Sequence, residues 1–519
     1  MGSRALNGGA TAEAPQPIAN APARGIQCHP INESQPMYEN LLAGVPTDLW
    51  IGGGWRKSSD GQRFDVIDPA TENVITSVAS GTVDDARAAV DAASKAFPAW
   101  AAKKPRERAE ILRKAFELIM RDAERIAKLM TLENGKALPD SRAEVAYAAE
   151  FFRWNAEEAV RNIGQVYNAP ASGARVVVQQ RPAGVAVLVT PWNFPAAMAT
   201  RKIGPALAAG CTVVLKPASD TPLTMLALMP ILEEAGVPAG VVNVIPSRSS
   251  GKVVSAMLHD ERVRVLSFTG STDVGRKLLH EAADNVVKPA MELGGNAPFI
   301  VFEDADIDAA VEGAMIAKMR NMGEACTAAN RFFVHEKVHD EFAKKLTTKM
   351  NALKMGNGLD EGVTLGPLVN ADGRNKVISL VDDAVKKGAR VLTGGKAPNG
   401  KGFFYPATVL TDVPDSAQML REEIFGPVAA IQRFTTEDDV IRRANDTIYG
   451  LVAYLYTRDL SRGMRISEKL EYGMVGLNRG LVSDPAAPFG GMKQSGIGRE
   501  GAHEGMMEFM ETQYISVGW

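Results

Sequence analysis

The sequence predicts an α/β protein with two domains built on parallel sheets, and three observations carry that prediction. Between residues 185 and 268, four short apolar runs (185–189, 212–215, 241–245 and 263–268) alternate with helical stretches at 198–209, 223–235 and 251–259. This spacing describes βαβ units, whose strands are apolar throughout because helices cover both sheet faces. A second series follows, with strands at 299–302, 331–334, 428–434 and 452–456 and helices near 305–321, 340–353 and 371–387. Finally, the chemically unusual residues fall just after apolar runs, where open parallel sheets hold their ligands. At 519 residues the chain is also too long for one core.

The first ordered elements are strand-like pieces at 49–51 and 64–68, separated by Gly52-Gly53-Gly54. Thr82 can cap the first helix, with Asp85 three residues on completing a capping box. Pro105 opens a second helix, in which Ala109, Ile111, Leu112, Ala115, Phe116 and Ile119 recur at three- and four-residue spacing. A third amphipathic helix is expected from about 141 to 162. Residues 1–45 are rich in Ala, Gly, Pro and Asn and form a separate N-terminal tail, disordered over 1–30 at least. That tail has no apolar h-region, and Arg4 and Arg24 give only a weak hint of a transit peptide.

Composition excludes several function classes. A net charge of −3 gives no reason to expect nucleic acid or an anionic membrane as partner. No run approaches the 18 or so apolar residues of a membrane span. Three scattered cysteines, Cys28, Cys211 and Cys326, make neither a disulfide framework nor a zinc cluster, so a reducing, cytoplasmic setting is expected. Cys28-His29 alone cannot hold a metal, and none is expected.

Two short segments offer a base and a nucleophile. Glu292-Leu293-Gly294-Gly295 places a carboxylate on a glycine turn, and Cys326 lies among small or polar residues in Gly323-Glu324-Ala325-Cys326. Such surroundings could favour the reactive thiolate, and a partly buried glutamate could activate a thiol or a water. After the run 185–189 comes Pro191-Trp192-Asn193-Phe194-Pro195. Asn193 can donate to an oxyanion or simply close an Asx-turn. After 212–215 comes Lys216, a cation suited to nucleotide hydroxyls or phosphate. After 263–268 come Gly270 and Ser271, which fit a pyrophosphate at a helix N-terminus or an ordinary strand–helix turn. Cys211 reads as a small core residue.

These motifs, with Lys216-Pro217-Ala218, Phe268-Thr269-Gly270-Ser271-Thr272, Glu422-Glu423-Ile424-Phe425-Gly426-Pro427 and Pro488-Phe489-Gly490-Gly491, resemble the aldehyde dehydrogenase superfamily from about residue 45 to Trp519. The resemblance implies two Rossmann-like domains and a small β oligomerisation element. Residues 46–163 and 183–294 would form the cofactor domain, 295–505 the catalytic domain, and 164–182 with 506–519 the bridging element. It implies that Cys326 attacks the aldehyde, Asn193 and the Cys326 amide hold the oxyanion, and Glu292 activates the hydrolytic water. Lys202 and Glu500 match a proton relay. Trp192, Lys216, Ser219, Gly270, Ser271, Glu423 and Phe425 match cofactor contacts. One departure stands out: Glu324 occupies a position where the family usually has Gln or a small polar residue, so that it would either raise the thiol pKa or face solvent.

Within the superfamily the likeness is to enzymes acting on succinate semialdehyde, with glutarate semialdehyde or another ω-carboxy aldehyde as the alternative. Arg201, Arg320 and Ser483 match residues that grip a distal carboxylate, and guanidinium groups suit that anion bidentately. A non-catalytic binding protein on this fold is the contrasting reading. Ser219 replaces a glutamate that would repel a 2′-phosphate, so NADP is expected to be preferred over NAD. An edge strand at 175–180 would pair across subunits, giving a homodimer or homotetramer.

Overall fold

The computed structural model describes residues 35–518; the Cys28-His29 pair and most of the expected tail lie outside them. From Pro36 onward the chain clusters as one compact unit. The tail boundary expected at residue 45 therefore falls too late. Gln35–Leu42 is a helix, the Tyr38 hydroxyl donates to Asp68 Oδ2 at 3.0 Å, and Leu42 and Val45 pack on the core. Tyr38 and Leu42 stand four residues apart, so one helix face carries both contacts.

The first large sheet has eight strands in the order Gly496–Ile497, Lys288–Glu292, Val263–Thr269, Val185–Val189, Thr212–Lys216, Val242–Val244, Leu49–Ile51 and Gly54–Arg56. Its five central strands are parallel, as the apolar runs require, and antiparallel strands finish each end. The second sheet has seven strands, ordered Arg390–Thr393, Thr408–Thr411, Val428–Phe434, Ala329–His335, Ala297–Val301, Val452–Tyr456 and Met474–Leu477, all parallel except the first pair. Helices bury both sheets in separate apolar cores. The capping box forms as expected: Thr82 accepts from the Asp85 N–H, and Asp85 accepts from the Thr82 N–H.

One element missed in the sequence positions chemistry. Lys288–Glu292 carries Pro289, which argues against a central strand. It nevertheless pairs in parallel with Val263–Thr269, setting Glu292 opposite Thr269 at the strand ends. Ala123–Asn134 is a further unanticipated helix, burying Ile126, Leu129 and Met130.

The third sheet corrects another expectation. Arg175–Pro182 is the middle strand of three, flanked by Gln165–Asn168 and Met510–Val517, so its own ladder groups are used within the chain. The free edges belong to its two neighbours, where Val166, Tyr167, Tyr514 and Ile515 are exposed.

Candidate active site

The helix Ile307–Met319 ends in a short turn, Arg320–Gly323, in which Asn321 (φ 52°), Met322 (φ 53°) and Gly323 (φ 77°) are all left-handed. Two non-glycine residues in that region need surrounding structure to hold them. That structure is visible. Asn321 Nδ2 donates to Asn193 O at 2.9 Å and to Glu324 O at 3.0 Å, and the Asn321 N–H donates to Asp140 Oδ2 at 3.2 Å. At Gly323 a Cβ would stand 2.2 Å from Gly426 O. Cys326 follows at the entry to the strand Ala329–His335.

The Glu292 motif meets this loop through its glycines. A Cβ on Gly295 would lie 2.4 Å from the Cys326 carbonyl oxygen. Gly295→Ala is therefore expected to push the nucleophile loop out of place, costing about 1–3 kcal/mol of stability and roughly a hundredfold in kcat. Thermal melts and steady-state rates check both; a variant with unchanged kcat would mean that this approach does not place the thiol.

Glu292 is buried, and neither carboxyl oxygen has a hydrogen-bond partner among the described residues. Burial, reinforced by the Glu500 charge and opposed by Arg201 and Lys202, holds its pKa well above the ordinary carboxylate range. Part of the Cys326 surface stays accessible, yet packing around the thiol is dense. Burial first, then the Glu292 charge, pushes its pKa up to about 12. The surroundings thus do not favour the thiolate, contrary to the sequence expectation. The thiol needs a base, and Glu292 is close enough to act on it electrostatically.

Glu500 reaches this centre because Gly496 pairs with Glu292 across the sheet edge, while the Ser495 hydroxyl donates to Gly294 O at 2.7 Å. Lys202 Nζ donates to Glu500 and to Ser267 Oγ, the latter at 3.0 Å, and burial lowers the lysine pKa. Lys202 and Glu500, matched in the sequence to a proton relay, are thus in direct hydrogen-bond contact. Arg201 departs from its expected role as a free anion receptor. Its Nε stands 2.5 Å from Glu500 Oε2, an ion pair by distance that is not aligned as a hydrogen bond, and Phe489 covers its face at 4.1 Å. Nε and Nη2 are both buried without a hydrogen-bond partner among the described residues, and of the two Nη2 is the one outside the Glu500 ion pair.

Asn193 is fixed by groups the sequence did not single out. Its carbonyl accepts from Lys136 Nζ at 2.6 Å; Lys136 pairs with Glu144 at 2.5 Å, and Glu144 accepts from the N–H groups of Ala196 and Ala197 ahead of and in the helix Ala197–Ala209. Asn193 Nδ2 donates one hydrogen to Glu324 O at 3.0 Å, leaving its second hydrogen for an oxyanion.

The cofactor candidates line the carboxyl edge of the first sheet. Lys216 is buried and its ammonium makes no hydrogen bond or ion pair among the described residues, and burial, opposed by Asp220, lowers its pKa to about 8. Such an uncompensated cation fits a ribose hydroxyl or phosphate. Arg248, unremarked in the sequence, acts on Lys216 as a second positive charge. The Ser219 hydroxyl donates to Ser247 O at 2.9 Å, so its hydrogen is engaged within the chain; what bears on a 2′-phosphate is the lack of a carboxylate at this position. Ser271 caps the helix Thr272–Asp284, beside Gly270. Glu423 Oε1 accepts from the Gly295 N–H at 3.3 Å, burial raises its pKa to about 7, and Phe425 packs edge-on against Trp192 at 5.4 Å. These residues fit a dinucleotide.

Arg320 and Ser483 share a cleft of about 450 Å³, also lined by Tyr147, Phe194, Met319 and Leu481. Arg320 Nη1 lies 3.5 Å from Ser483 Oγ, and its guanidinium sits over the Phe194 ring at 4.7 Å. The buried Tyr147 hydroxyl has no partner among the described residues. Lys136, Glu144, Arg248 and Tyr147 lie in ordinary helical or loop sequence, and only their convergence marks them.

An aldehyde dehydrogenase family model matches residues 55–515. A succinate-semialdehyde dehydrogenase of Paenarthrobacter nicotinovorans is 54% identical over 86% of this chain and 99% of that protein. A glutarate-semialdehyde dehydrogenase of Pseudomonas putida is 50% identical over 90% of this chain and 97% of that protein. Among solved structures, an NADP-dependent enzyme of E. coli superposes with a TM-score of 0.91 at 49% identity, covering 93% of this chain and 99% of that one. With this fold, these motifs and this extent of match, the chain belongs to the aldehyde dehydrogenase family.

Proposed function

We propose that the protein oxidises succinate semialdehyde to succinate with NADP. The observation that carries the substrate is the cleft in which Arg320 and Ser483 face one another, a cation and a hydroxyl placed for a distal carboxylate. Relatives named for succinate semialdehyde, 54% and 50% identical, support the reading; the glutarate-semialdehyde relative, 50% identical, supports a substrate one methylene longer as the alternative.

The residues divide the work. The aldehyde carbonyl carbon bonds to Cys326 Sγ as the thiol proton passes to Glu292. The Asn193 amide and the Cys326 N–H hold the oxygen. NADP, when bound, supplies the hydride acceptor. The carbon is then a thioester on Cys326; Glu292 takes a proton from water, the hydroxide adds, and the C–S bond breaks to release the acid. Lys202 and Glu500 carry the Glu292 proton onward. Arg320 anchors the distal carboxylate, and Arg201, already balanced by Glu500, adds Nη2. Lys216, Ser219, Gly270, Ser271, Glu423, Phe425 and Trp192 hold the dinucleotide, with Arg248 beside Lys216.

The lack of a carboxylate at 219, with Lys216 and Arg248 set against a single anion at Asp220, favours a 2′-phosphate. Ser219→Glu is expected to reverse the preference, cutting kcat/KM with NADP by about tenfold or more through like-charge repulsion while sparing NAD. Rates with succinate and glutarate semialdehydes and both cofactors test the reading. Higher kcat/KM with NAD than with NADP in the unmodified enzyme would overturn the cofactor assignment, and a higher value with the longer aldehyde would favour the alternative.

No helix among the described residues is long and apolar enough to cross a membrane. The exposed apolar residues on the free edges of the three-stranded sheet support self-association as a dimer or tetramer, and a cytoplasmic location accords with the free thiols.

A further inference from the structure

Glu324, two residues before Cys326, is 0% exposed. Its backbone carbonyl accepts from two side-chain amides, Asn193 Nδ2 and Asn321 Nδ2, each at 3.0 Å. Its carboxyl Oε1 accepts from the Val369 N–H at 3.2 Å, and Oε2 has no partner among the described residues. The next residue, Asn370, caps the helix Ala371–Lys386 by accepting from the Gly373 N–H at 2.9 Å. Its Nδ2 donates to Asp220 Oδ1 at 3.3 Å, beside Ser219. One side chain thus lies between the nucleophile loop and a turn that touches the cofactor edge.

The surroundings also set its protonation state. An ionised carboxylate has about four acceptor sites, and here one backbone N–H serves them. Lys136 is engaged by Glu144 and by the Asn193 carbonyl, and Asp220 carries the same sign. Leaving a carboxylate so buried and so poorly bonded is costly, whereas the neutral acid fits. Glu324 therefore neither faces solvent nor leads in raising the thiol pKa, where burial and Glu292 come first.

We infer that Glu324 is a positioning residue of the nucleophile: as the neutral acid it ties the Cys326 loop to the Val369–Asn370 turn, while its carbonyl gathers the Asn193 and Asn321 amides onto the same loop. The inference rests on Cys326 being the nucleophile. Burial keeps the acid neutral well above the ordinary carboxylate range, so at neutral pH the loop packs around an uncharged group; the Val369 N–H itself favours the ionised form, and what rising pH brings is an unpaired charge buried in that packing. The charges acting on it are Lys136, itself paired with Glu144 from the helix Leu138–Glu158, and Asp220 from the loop after Thr212–Lys216, while Asp140 accepts from the Asn321 N–H of the same nucleophile loop.

The test compares full-length E324Q and E324A with the parent, following NADPH formation from succinate semialdehyde across neutral and alkaline pH. Glutamine is a neutral isostere that still accepts from Val369, so E324Q should keep kcat within about threefold and move the alkaline loss of activity to higher pH. E324A should lose roughly ten- to a hundredfold in kcat with little change in KM for NADP. Parent-like kcat in E324A, or E324Q as impaired as E324A, would overturn the inference. If E324A does not fold, E324Q decides alone, and an unmoved alkaline limb sinks the proposal. Iodoacetamide labelling of the parent, located by mass spectrometry, separates the two readings: Cys326 alkylated with turnover intact would defeat the nucleophile itself, whatever the Glu324 variants do.

Discussion

Cys326→Ala is expected to abolish NADP-linked oxidation, lowering kcat by on the order of 10⁴-fold or more, because no other group in the centre can form the covalent bond. The fold should survive, since the thiol makes no hydrogen bond among the described residues that anchors its loop; the ties run through Asn321, Asn193 and Glu324. Circular dichroism and melting temperature, measured beside the rate, distinguish lost chemistry from lost structure. Glu292→Gln should follow closely, losing about 10²–10⁴-fold as a general base is removed. The pH dependence adds a signature. Glu292 works ionised, so activity should rise with pH through its pKa, and burial places that rise well above the usual carboxylate value of 4.5. The same shift bears on stability: a carboxyl with a raised folded pKa favours the folded state fully below 4.5, and that contribution is lost as pH climbs through the folded pKa. An acid limb at the ordinary carboxylate value would mean that Glu292 is not the group observed.

The second large effect is expected at Arg320. Arg320→Ala removes the cation from the cleft and should cost about 2–4 kcal/mol of transition-state binding, some thirty- to a thousandfold in kcat/KM for succinate semialdehyde. The loss should fall mainly on KM, because the carboxylate lies away from the reacting carbon. Arg201→Ala should behave differently. It removes a positive charge that lowers the Glu292 pKa and leaves Glu500 with Lys202 as its remaining partner, so the acid limb of the pH profile should move further up. Equal KM effects from the two variants, with no shift of the limb, would return Arg201 to the same role as Arg320.

The sequence made the parallel strands of both sheets legible because they are buried on both faces and therefore read as continuous apolar runs. Val185–Val189, Val428–Phe434 and Val452–Tyr456 lie where those runs placed them. Very short strands were not legible: Thr408–Thr411, inside its sheet, and Gly496–Ile497, at an edge, hold too few residues to show a period. Lys288–Glu292 was hidden by Pro289, although it is the strand that delivers Glu292. In the site, Cys326, Glu292 and Asn193 were legible because each lies in a motif with its own backbone requirement, such as Gly295 beneath the Cys326 carbonyl. Long-range pairings were not legible. Nothing local shows that Arg201 meets Glu500, that Lys136 holds the Asn193 carbonyl, or that the Glu324 carboxyl reaches Val369.

Arg320 and Ser483 are proposed to select an aldehyde that carries its own anion. The most direct measurement is kcat/KM for succinate semialdehyde against butanal, its uncharged counterpart, with NADP and the unmodified enzyme. The expected result is a preference of about a hundredfold or more for the carboxylated aldehyde, the size of a buried charge-assisted contact. Equal values for the two aldehydes, or a preference for butanal, would contradict it.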